Sequence, residues 1–317
     1  MLWLFLCKAN KWLINKKVKV MAIIKKTDSF PKRPVIILIY GTPGVGKTSL
    51  VSTSENPILI DTDKGADRSA MKVDTLIASK WEDVLVEKDS FKDYKTCCID
   101  TAKAVLDDYL SIYVCNKDYK LKNNKLKMYG SIGDEFKYFV NERRSENLDL
   151  VFTAHAKEEK DGDVIKVSPD VTGQSKDLLL RIADQVGYVT MVNNKRTIVF
   201  DPTDKSIGKN VANIEPLEIP DKYSPEFATF MDSLIKRVKE AISAQTEDQK
   251  NALEEVASLR EKISSIKDTK DADNVLAELN GKPKTMAMPL KEALSEKVKE
   301  LGFKYNKEAK KFELTQK

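Results

Sequence analysis

The chain has 317 residues, of which 41% are hydrophobic and 32% charged, a composition typical of a soluble, globular, intracellular protein. The formal charge of +5 equals that of the five lysines in residues 1–20, so the rest of the chain is neutral and bulk basicity does not explain any nucleic-acid binding. The single histidine, His155, excludes a multi-histidine metal site, and the four cysteines lack metal-ligand spacing.

Residues 1–20 differ in character from the rest of the chain. Their apolar run, residues 2–7, is too short to span a bilayer, and the lysines follow it, the reverse of a signal peptide. We interpret Met21 as the natural start and residues 1–20 as an upstream extension. An amphipathic membrane anchor and an ordinary N-terminal helix are the alternatives.

An apolar run at residues 35–40 leads directly into a phosphate-binding motif, G-x-x-x-x-G-K-[ST], made by Gly41, Thr42, Pro43, Gly44, Val45, Gly46, Lys47, Thr48 and Ser49. The glycines allow backbone N–H groups to surround a phosphate, and a helix beginning near Lys47 adds its positive end. Lys47 is expected to reach the β- and γ-phosphates, and the Thr48 hydroxyl to ligate Mg²⁺. The segment predicts a nucleoside triphosphate site.

Acidic and polar side chains follow three further predicted strands. The strand at residues 57–61 precedes Asp63, a candidate for polarising the attacking water, with a turn or capping acid as the alternative. The strand at residues 95–101 carries Asp100, predicted to orient the Mg²⁺ shell. The strand at residues 147–153 precedes His155, which is either a γ-phosphate sensor or a strand-end cap.

The later part of this region predicts a hairpin, residues 184–192 and 195–200, joined by Asn193 and Asn194. Strands alternating with helices predict an α/β fold with a mostly parallel sheet and an antiparallel hairpin edge. We therefore divide the chain into an N-terminal extension (residues 1–32), an ATPase core (33–220) and a helical, lysine-rich C-terminal region (221–317).

The C-terminal region opens with a helix capped by Ser224, with Pro225 in its first position. A two-heptad seam follows, predicted to pack on a helix at residues 289–301 or on a neighbouring subunit; it consists of Ala252, Val256, Leu259, Ile263 and Ile266. Residues 281–317 carry ten lysines against five glutamates, and residues 303–312 predict a basic hairpin. A second DNA contact, a dock for a single-strand-binding protein and a solvated tail remain open.

Five segments carry a resemblance to a known family: GTPGVGKTSL, LIDTDKGADR, CCIDTA, VFTAHAKEE, and residues 169–176 through RIADQVGYV. In this order they resemble the phage-encoded RecA-like ATPases of the AAA family, which include the Sak-type single-strand annealing ATPases. The similarity covers roughly residues 33–215. It implies a RecA-like P-loop NTPase that uses ATP and Mg²⁺ and acts on single-stranded DNA in recombination, annealing or repair, in the host cytoplasm. The family pattern has Glu where Asp63 stands, so slow hydrolysis or a relay water is expected.

The resemblance also implies two DNA-binding loops. The first, residues 117–130, holds five lysines against the single Asp118, with Tyr119 and Tyr129 available for base stacking. The second, residues 156–176, has mixed charge and predicts a mobile loop that couples DNA to ATP through His155. A solvated lysine-rich surface would have the same composition as the first loop.

RecA-like proteins form rings or filaments, so a homo-oligomer is expected, with the ATP site completed from a neighbour. Arg196, Lys205 and Lys209 are the candidates for that contribution. The main alternative function is an AAA-type loader or remodeller of a replication protein. A small-molecule kinase is disfavoured, because kinases close an arginine-rich lid over the phosphates and this chain has no arginine cluster beyond Arg143 and Arg144.

Overall fold

A computed structural model describes residues 32–161, 164–306 and 309–314. The residues 1–20 considered above lie outside the described part. The chain divides into two compact units between Ala244 and Gln245. The first unit, Pro31–Ala244, contains every predicted nucleotide-site residue, and the second contains the C-terminal helices and hairpin.

The first unit is built from ten strands and the helices around them. The strands are β1 (Ile36–Gly41), β2 (Pro57–Asp61), β3 (Asp74–Ile77), β4 (Thr96–Asp100), β5 (Asp149–Asp161), β6 (Val164–Pro169), β7 (Gln185–Val192), β8 (Lys195–Val199), β9 (Lys209–Asn210) and β10 (Leu217–Glu218). The helices are α1 (Lys47–Val51), α2 (Trp81–Val86), α3 (Leu110–Lys117), α4 (Lys125–Ser145), α5 (Gly173–Ile182) and α6 (Phe230–Ser264), which continues beyond this unit. Shorter helical turns cover Ala66–Arg68, Lys88–Asp93, Ala104–Tyr109, Tyr119–Asn123 and Pro225–Thr229.

The sheet confirms the predicted architecture. Strands β7, β1, β5, β4, β2 and β3 lie side by side in this order and are mutually parallel. Strands β8 and β10 extend the β7 side in antiparallel fashion, β9 pairs with β7, and β6 pairs with β5. The order places β5 between the phosphate-loop strand and the strand that ends in Asp100. The carboxyl ends of β1, β2, β4 and β5 therefore share one edge.

Helices cover both faces of this sheet, which explains the unbroken apolar run of β1. Ile36, Leu38 and Tyr40 face one core, whereas Ile37 and Ile39 face the other. Burial on both faces is the reason that a parallel strand shows no alternation of polar and apolar residues. At the antiparallel edge, Asn193 and Asn194 both have positive φ, as a two-residue hairpin turn requires, and the predicted hairpin is confirmed.

The first predicted DNA loop is mainly helical. A 3₁₀ turn, Tyr119–Asn123, buries Leu121, and α4 begins at Lys125. The side chain of Asn124 accepts a hydrogen bond from the Lys127 amide at 3.1 Å, which caps this helix. The description as a loop was therefore wrong, because the burial of Leu121 and the cap at Asn124 start helical structure that lysines, which are good helix formers, continue.

The second predicted loop is also regular structure. Strand β5 continues past the site to Asp161 and pairs with β6, and α5 begins at Gly173. The side chain of Glu159 accepts a hydrogen bond from Lys176 at 2.9 Å. The prediction of a loop was wrong for the described residues, because backbone pairing forms a hairpin even where the sequence has charged rather than apolar residues.

The start of α6 belongs to the first unit, so this unit extends beyond the boundary near Pro220 that the sequence indicates. Met231, Leu234, Ile235 and Val238 pack into the same core as β1. The Met231 amide also donates to the Thr53 hydroxyl at 2.9 Å. The 3₁₀ turn at Pro225–Thr229 begins after Ser224 with Pro225 in its first position, as predicted, but the Ser224 side chain makes no capping hydrogen bond, so the predicted cap is wrong.

The second unit contains the end of α6, α7 (Thr269–Asn280), α8 (Lys284–Glu300), and the antiparallel hairpin β11 (Phe303–Asn306) and β12 (Lys311–Leu314). Leu259, Ile263 and Ile266 of the predicted seam pack with Leu290 and Leu294. α8 begins five residues before Pro289, earlier than the sequence indicates. Among the described residues, no helix combines the length and the apolar composition that crossing a membrane requires.

Candidate functional site

The phosphate loop lies between β1 and α1, at the carboxyl edge of the sheet. Gly44 and Gly46 have φ values of 79° and 90°, a region that residues with a Cβ rarely occupy. A Cβ on Gly46 would also lie 2.8 Å from an Arg196 guanidinium nitrogen, which is the flexible end of a side chain, so the positive φ is the main obstacle to a larger residue here. Helix α1 begins at Lys47, as predicted, but has only five residues. Because this helix is short, its dipole contributes little, and the backbone amides of the loop are the main groups available to bind an anion.

Lys47 reaches the floor of the site and is only 6% exposed. Its Nζ donates to the carbonyl oxygens of Gly41 and Thr42 at 3.0 and 3.1 Å, and lies 3.4 Å from Nδ1 of His155. Burial lowers the pKa of Lys47, while the negative charges of Asp100 and Asp63 act in the opposite direction. Within the described part of the chain, no carboxylate forms an ion pair with this ammonium, and a phosphate would provide one.

Asp100 joins the phosphate loop to two neighbouring strands. At the end of β4 it is 5% exposed, and its Oδ2 accepts a hydrogen bond from the Thr48 hydroxyl at 2.6 Å. Its Oδ1 accepts a hydrogen bond from the hydroxyl of Thr153 on β5. The contact between Asp100 and Thr153 was not predicted from the sequence. The feature that could have indicated it is that Thr153 ends the predicted strand at residues 147–153, which pairs with β4.

The oxygen atoms of Thr48 and Asp100 fit a Mg²⁺ site. Mg²⁺ prefers oxygen ligands and usually takes only one or two from the protein, with water and phosphate supplying the rest. Thr48 would hold such an ion through its hydroxyl and Asp100 through its carboxylate or a water. When bound, the ion neutralises negative charge on the β- and γ-phosphates.

Asp63 and His155 face each other across the site. Nε2 of His155 lies 3.7 Å from Oδ2 of Asp63, and Nδ1 of the same ring points to Lys47. Burial raises the pKa of Asp63, and the nearby Asp100 charge raises it further, whereas His155 lowers it. His155 thus lies between Lys47 and Asp63 and is near both. The pairing of His155 with Gly41 in the adjacent strands β5 and β1 puts it beside the phosphate loop.

Asp61, two residues before Asp63, has a different role. It is buried at the end of β2, and its carboxylate accepts hydrogen bonds from the amides of Gly65 and Ala66 at 3.1 and 2.9 Å. These bonds order the turn that carries Asp63. The sequence does not show which of Asp61 and Asp63 makes these bonds, but Gly65, four residues after Asp61, indicates a turn of this kind.

Lys47, Thr48, Asp63, Asp100 and His155 line one pocket of about 330 Å³. Its lining residues are Pro43, Gly44, Gly46, Lys47, Thr48, Ser49, Asp63, Gly65, Arg68, Ser69, Asp100, Thr101 and His155. The remaining predicted residues lie behind it: Gly41 packs against β7, Thr42 contributes its carbonyl oxygen to Lys47, and Val45 contacts the core. The structure therefore brings most of the residues predicted from the sequence to one pocket, from segments that follow four strands.

Two arginines near this pocket were not assigned to it from the sequence. Arg68 is an exposed lining residue on the turn ordered by Asp61. Arg196, considered above as a contribution to a neighbour, donates within its own chain to the carbonyl oxygens of Val45 at 3.4 Å and Pro220 at 3.0 Å. It braces the phosphate loop from β8.

Lys209 is likewise engaged within its own chain. Its Nζ donates to the carbonyl oxygens of Leu180, Arg181 and Ala183, where α5 ends. A cation in this position stabilises the end of a helix. Completing a neighbouring ATP site would require Lys209 to leave these three acceptors.

Comparison with models of protein families matches residues 33–211 to the AAA domain, which is more than half of the 317 residues. The match includes β1 and the phosphate loop and extends past β9. A search of the curated proteins found no match to the chain.

Proposed function

This chain belongs to the AAA domain family and has the RecA-like P-loop NTPase fold, and we propose that it hydrolyses ATP to act on single-stranded DNA in recombination, annealing or repair. Nucleotide binding and ATPase chemistry are properties of the family. One observation supports this site as the place where the chemistry occurs: Lys47, the Thr48–Asp100 pair and the Asp63–His155 pair line the same pocket.

In the proposed reaction, each side chain has a separate task. The loop amides and Lys47 hold the β- and γ-phosphates. Asp63 accepts a proton from the water that attacks the γ-phosphorus, while the bond from phosphorus to the bridging oxygen breaks and ADP departs. The raised pKa of Asp63 brings it closer to neutral pH, which suits a general base. His155 senses the γ-phosphate from its position between Lys47 and Asp63.

A continuous strand supports coupling between ATP and DNA. On β5, Thr153 contacts Asp100 and His155 contacts Lys47, and the same strand continues into the hairpin with β6. We propose that this hairpin contacts DNA through Lys157, Lys160 and Lys166. A displacement of His155 by the γ-phosphate would be transmitted along a paired strand rather than through a flexible loop.

The lysine-rich segment at residues 117–130 is the second proposed DNA contact. Tyr119 is 71% exposed, and Nζ of Lys122 lies 4.5 Å from the centre of its ring. An exposed ring beside cations suits base stacking next to a phosphate backbone. Lys117 is less available, because it donates to Glu135 at 2.7 Å. We also propose that the protein works as a homo-oligomer, as RecA-like ATPases of this type do.

The decisive experiment measures steady-state ATP hydrolysis by the full chain, with and without single-stranded DNA. Strong stimulation that is lost in Lys47→Ala supports the proposal. If hydrolysis is unstimulated and DNA does not bind in the presence of ATP, the proposal fails, and remodelling of a protein becomes the better explanation of the same ATP site.

A second experiment tests the DNA surface separately from the ATP site. A variant with alanine at Lys120, Lys122, Lys125 and Lys127 is expected to bind single strands more weakly and with a flatter salt dependence. A matched control places alanine at four exposed lysines outside both proposed DNA contacts and outside the C-terminal unit, Lys32, Lys80, Lys95 and Lys222. Equal salt slopes for the two variants would assign residues 117–130 to ordinary surface.

A further inference from the structure

The C-terminal unit contains a groove of about 470 Å³ between α7, α8 and the β11–β12 hairpin. Its walls include five apolar side chains, Leu276, Leu294, Val298, Phe303 and Phe312. Tyr305 stands at the groove with 39% of its surface exposed, and its ring packs edge-on against Phe312 at a centroid distance of 5.1 Å. The volume lies within the range of binding pockets and accommodates a large apolar side chain.

The charged side chains at this groove are all positive. Among its described lining residues, Lys291, Lys299 and Lys304 are present and no carboxylate is. Helix α8 also carries Glu296 and Glu300, but these carboxylates line a different depression, together with Arg260 and Lys297. An apolar groove bordered by three cations complements a ligand that combines an apolar side chain with neighbouring negative charges.

We propose that this groove binds an acidic peptide segment of a partner protein. An apolar, preferably aromatic, side chain of the segment inserts between Leu294, Val298 and Phe303, and adjacent carboxylates face the three lysines. The inference goes beyond the proposed function and does not depend on ATP or DNA.

The exposure of the aromatic rings favours a peptide over a nucleic acid. Phe303 and Phe312 are each only 9% exposed, so their faces are not available for base stacking, and Tyr305 is the one more open ring of this groove. Sequence-tolerant binding of a single strand uses successive exposed rings along a basic track. A concave apolar wall instead suits a side chain that is buried on binding.

The test uses fluorescence anisotropy with the full chain, in the absence of nucleotide and DNA. The probe is a fluorescein-labelled ten-residue peptide of aspartates and glycines with one central phenylalanine, and the reference peptide has alanine in its place. We expect saturable binding of the phenylalanine peptide and binding at least about tenfold weaker for the alanine peptide, because the alanine peptide buries no aromatic side chain; tenfold corresponds to about 1.4 kcal/mol of binding free energy.

Charge-reversal variants locate the binding surface. Lys299→Glu combined with Lys304→Glu is expected to weaken binding by about tenfold at low salt. The matched control, Lys270→Glu with Lys284→Glu, changes the net charge equally at exposed positions outside the groove, and is expected to retain affinity. Melting temperatures equal to that of the parent protein confirm that each variant is folded.

Three outcomes would overturn the proposal. The first is no binding of the phenylalanine peptide. The second is equal affinity for the phenylalanine and alanine peptides, which would indicate a general basic surface. The third is that oligo(dT) binds with the same dependence on Lys299 and Lys304 and displaces the peptide, which would make the groove a nucleic-acid contact. ATPase activity plays no part in these readings, so failure here is distinct from failure of the proposed function.

Discussion

Replacing Lys47 with methionine separates two effects of this side chain, one on folding and one on the ligand. The lysine is almost fully buried, and burial lowers its pKa. A lowered lysine pKa means that the charged form is less favourable in the folded than in the unfolded state, so the charge costs stability wherever Lys47 is protonated. Methionine keeps a long apolar stem but loses the hydrogen bonds to Gly41 and Thr42, each contributing about 1 kcal/mol.

These contributions oppose each other in the nucleotide-free protein, since losing the buried charge favours folding and losing the two hydrogen bonds opposes it. We therefore expect its free energy of unfolding to fall by less than the roughly 2 kcal/mol that the two hydrogen bonds contribute. The bound state differs, since ATP at 100 times its Kd stabilises a protein by about 2.7 kcal/mol. For a domain of this size, that corresponds to a rise in melting temperature of about 5–10 °C. Lys47→Met should lose this rise while retaining the nucleotide-free melting temperature.

Thermal unfolding followed by fluorescence, with and without ATP and Mg²⁺, measures both quantities. Lys72→Met is the matched control, because Lys72 also donates to two backbone carbonyl oxygens but lies exposed and outside the pocket. The reasoning is refuted if Lys47→Met keeps the full nucleotide shift. It is also refuted if the nucleotide-free variant loses more than about 3 kcal/mol, which would assign Lys47 a mainly structural role.

Three further predictions concern neighbours of Lys47. Thr153→Val should lower the free energy of unfolding, measured by urea titration, by about 1.5–3 kcal/mol, because Asp100 loses a hydrogen-bond donor. Thr153→Ser keeps the hydroxyl and should recover most of the loss, and a valine variant as stable as the parent protein would contradict this prediction. Gly46→Ala should weaken ATP binding, measured by calorimetry, by about tenfold or more, chiefly because Gly46 has a positive φ and also because its Cβ would approach Arg196. Gly130→Ala, at an exposed position in a helix, should leave the affinity for ATP unchanged. On lowering the pH, the rate of hydrolysis should fall at a pH above the ordinary aspartate pKa of about 3.9, because the pKa of Asp63 is raised and its deprotonated form accepts the proton. Asp63→Asn should remove most activity together with this acid limb of the pH–rate profile. A profile whose acid limb is unchanged in the variant would exclude Asp63 as the base.

The sequence by itself determined the phosphate loop and the strands that lead to the site. Its apolar runs at β1, β2 and β4 are long enough, and sufficiently bounded by turn residues, to be recognised without knowledge of contacts. The same holds for the hairpin at Asn193 and Asn194, because two adjacent residues of this type tolerate positive φ. Cys97 and Cys98, which lie in the apolar run of β4, are buried.

The sequence was weakest where regular structure forms from polar residues. Strand β3 is short and largely exposed, and the hairpin of β5 and β6 is rich in charge. Pairing of backbone N–H and C=O groups stabilises both, and a one-dimensional pattern of side chains does not record that pairing. The helical structure of residues 119–130 depends on the burial of Leu121, which only the packed fold reveals.

Only the tertiary structure decided how the site residues divide their roles. The sequence places Asp61 and Asp63 two residues apart, but the fold uses Asp61 to order a turn and leaves Asp63 facing His155. Likewise, Arg196 donates a hydrogen bond to the carbonyl oxygen of Val45 in the phosphate loop, which lies 151 positions earlier in the chain. The physical reason is that side-chain periodicity and residue type fix local conformation, whereas hydrogen bonds across strands depend on the order and register in which distant segments pack.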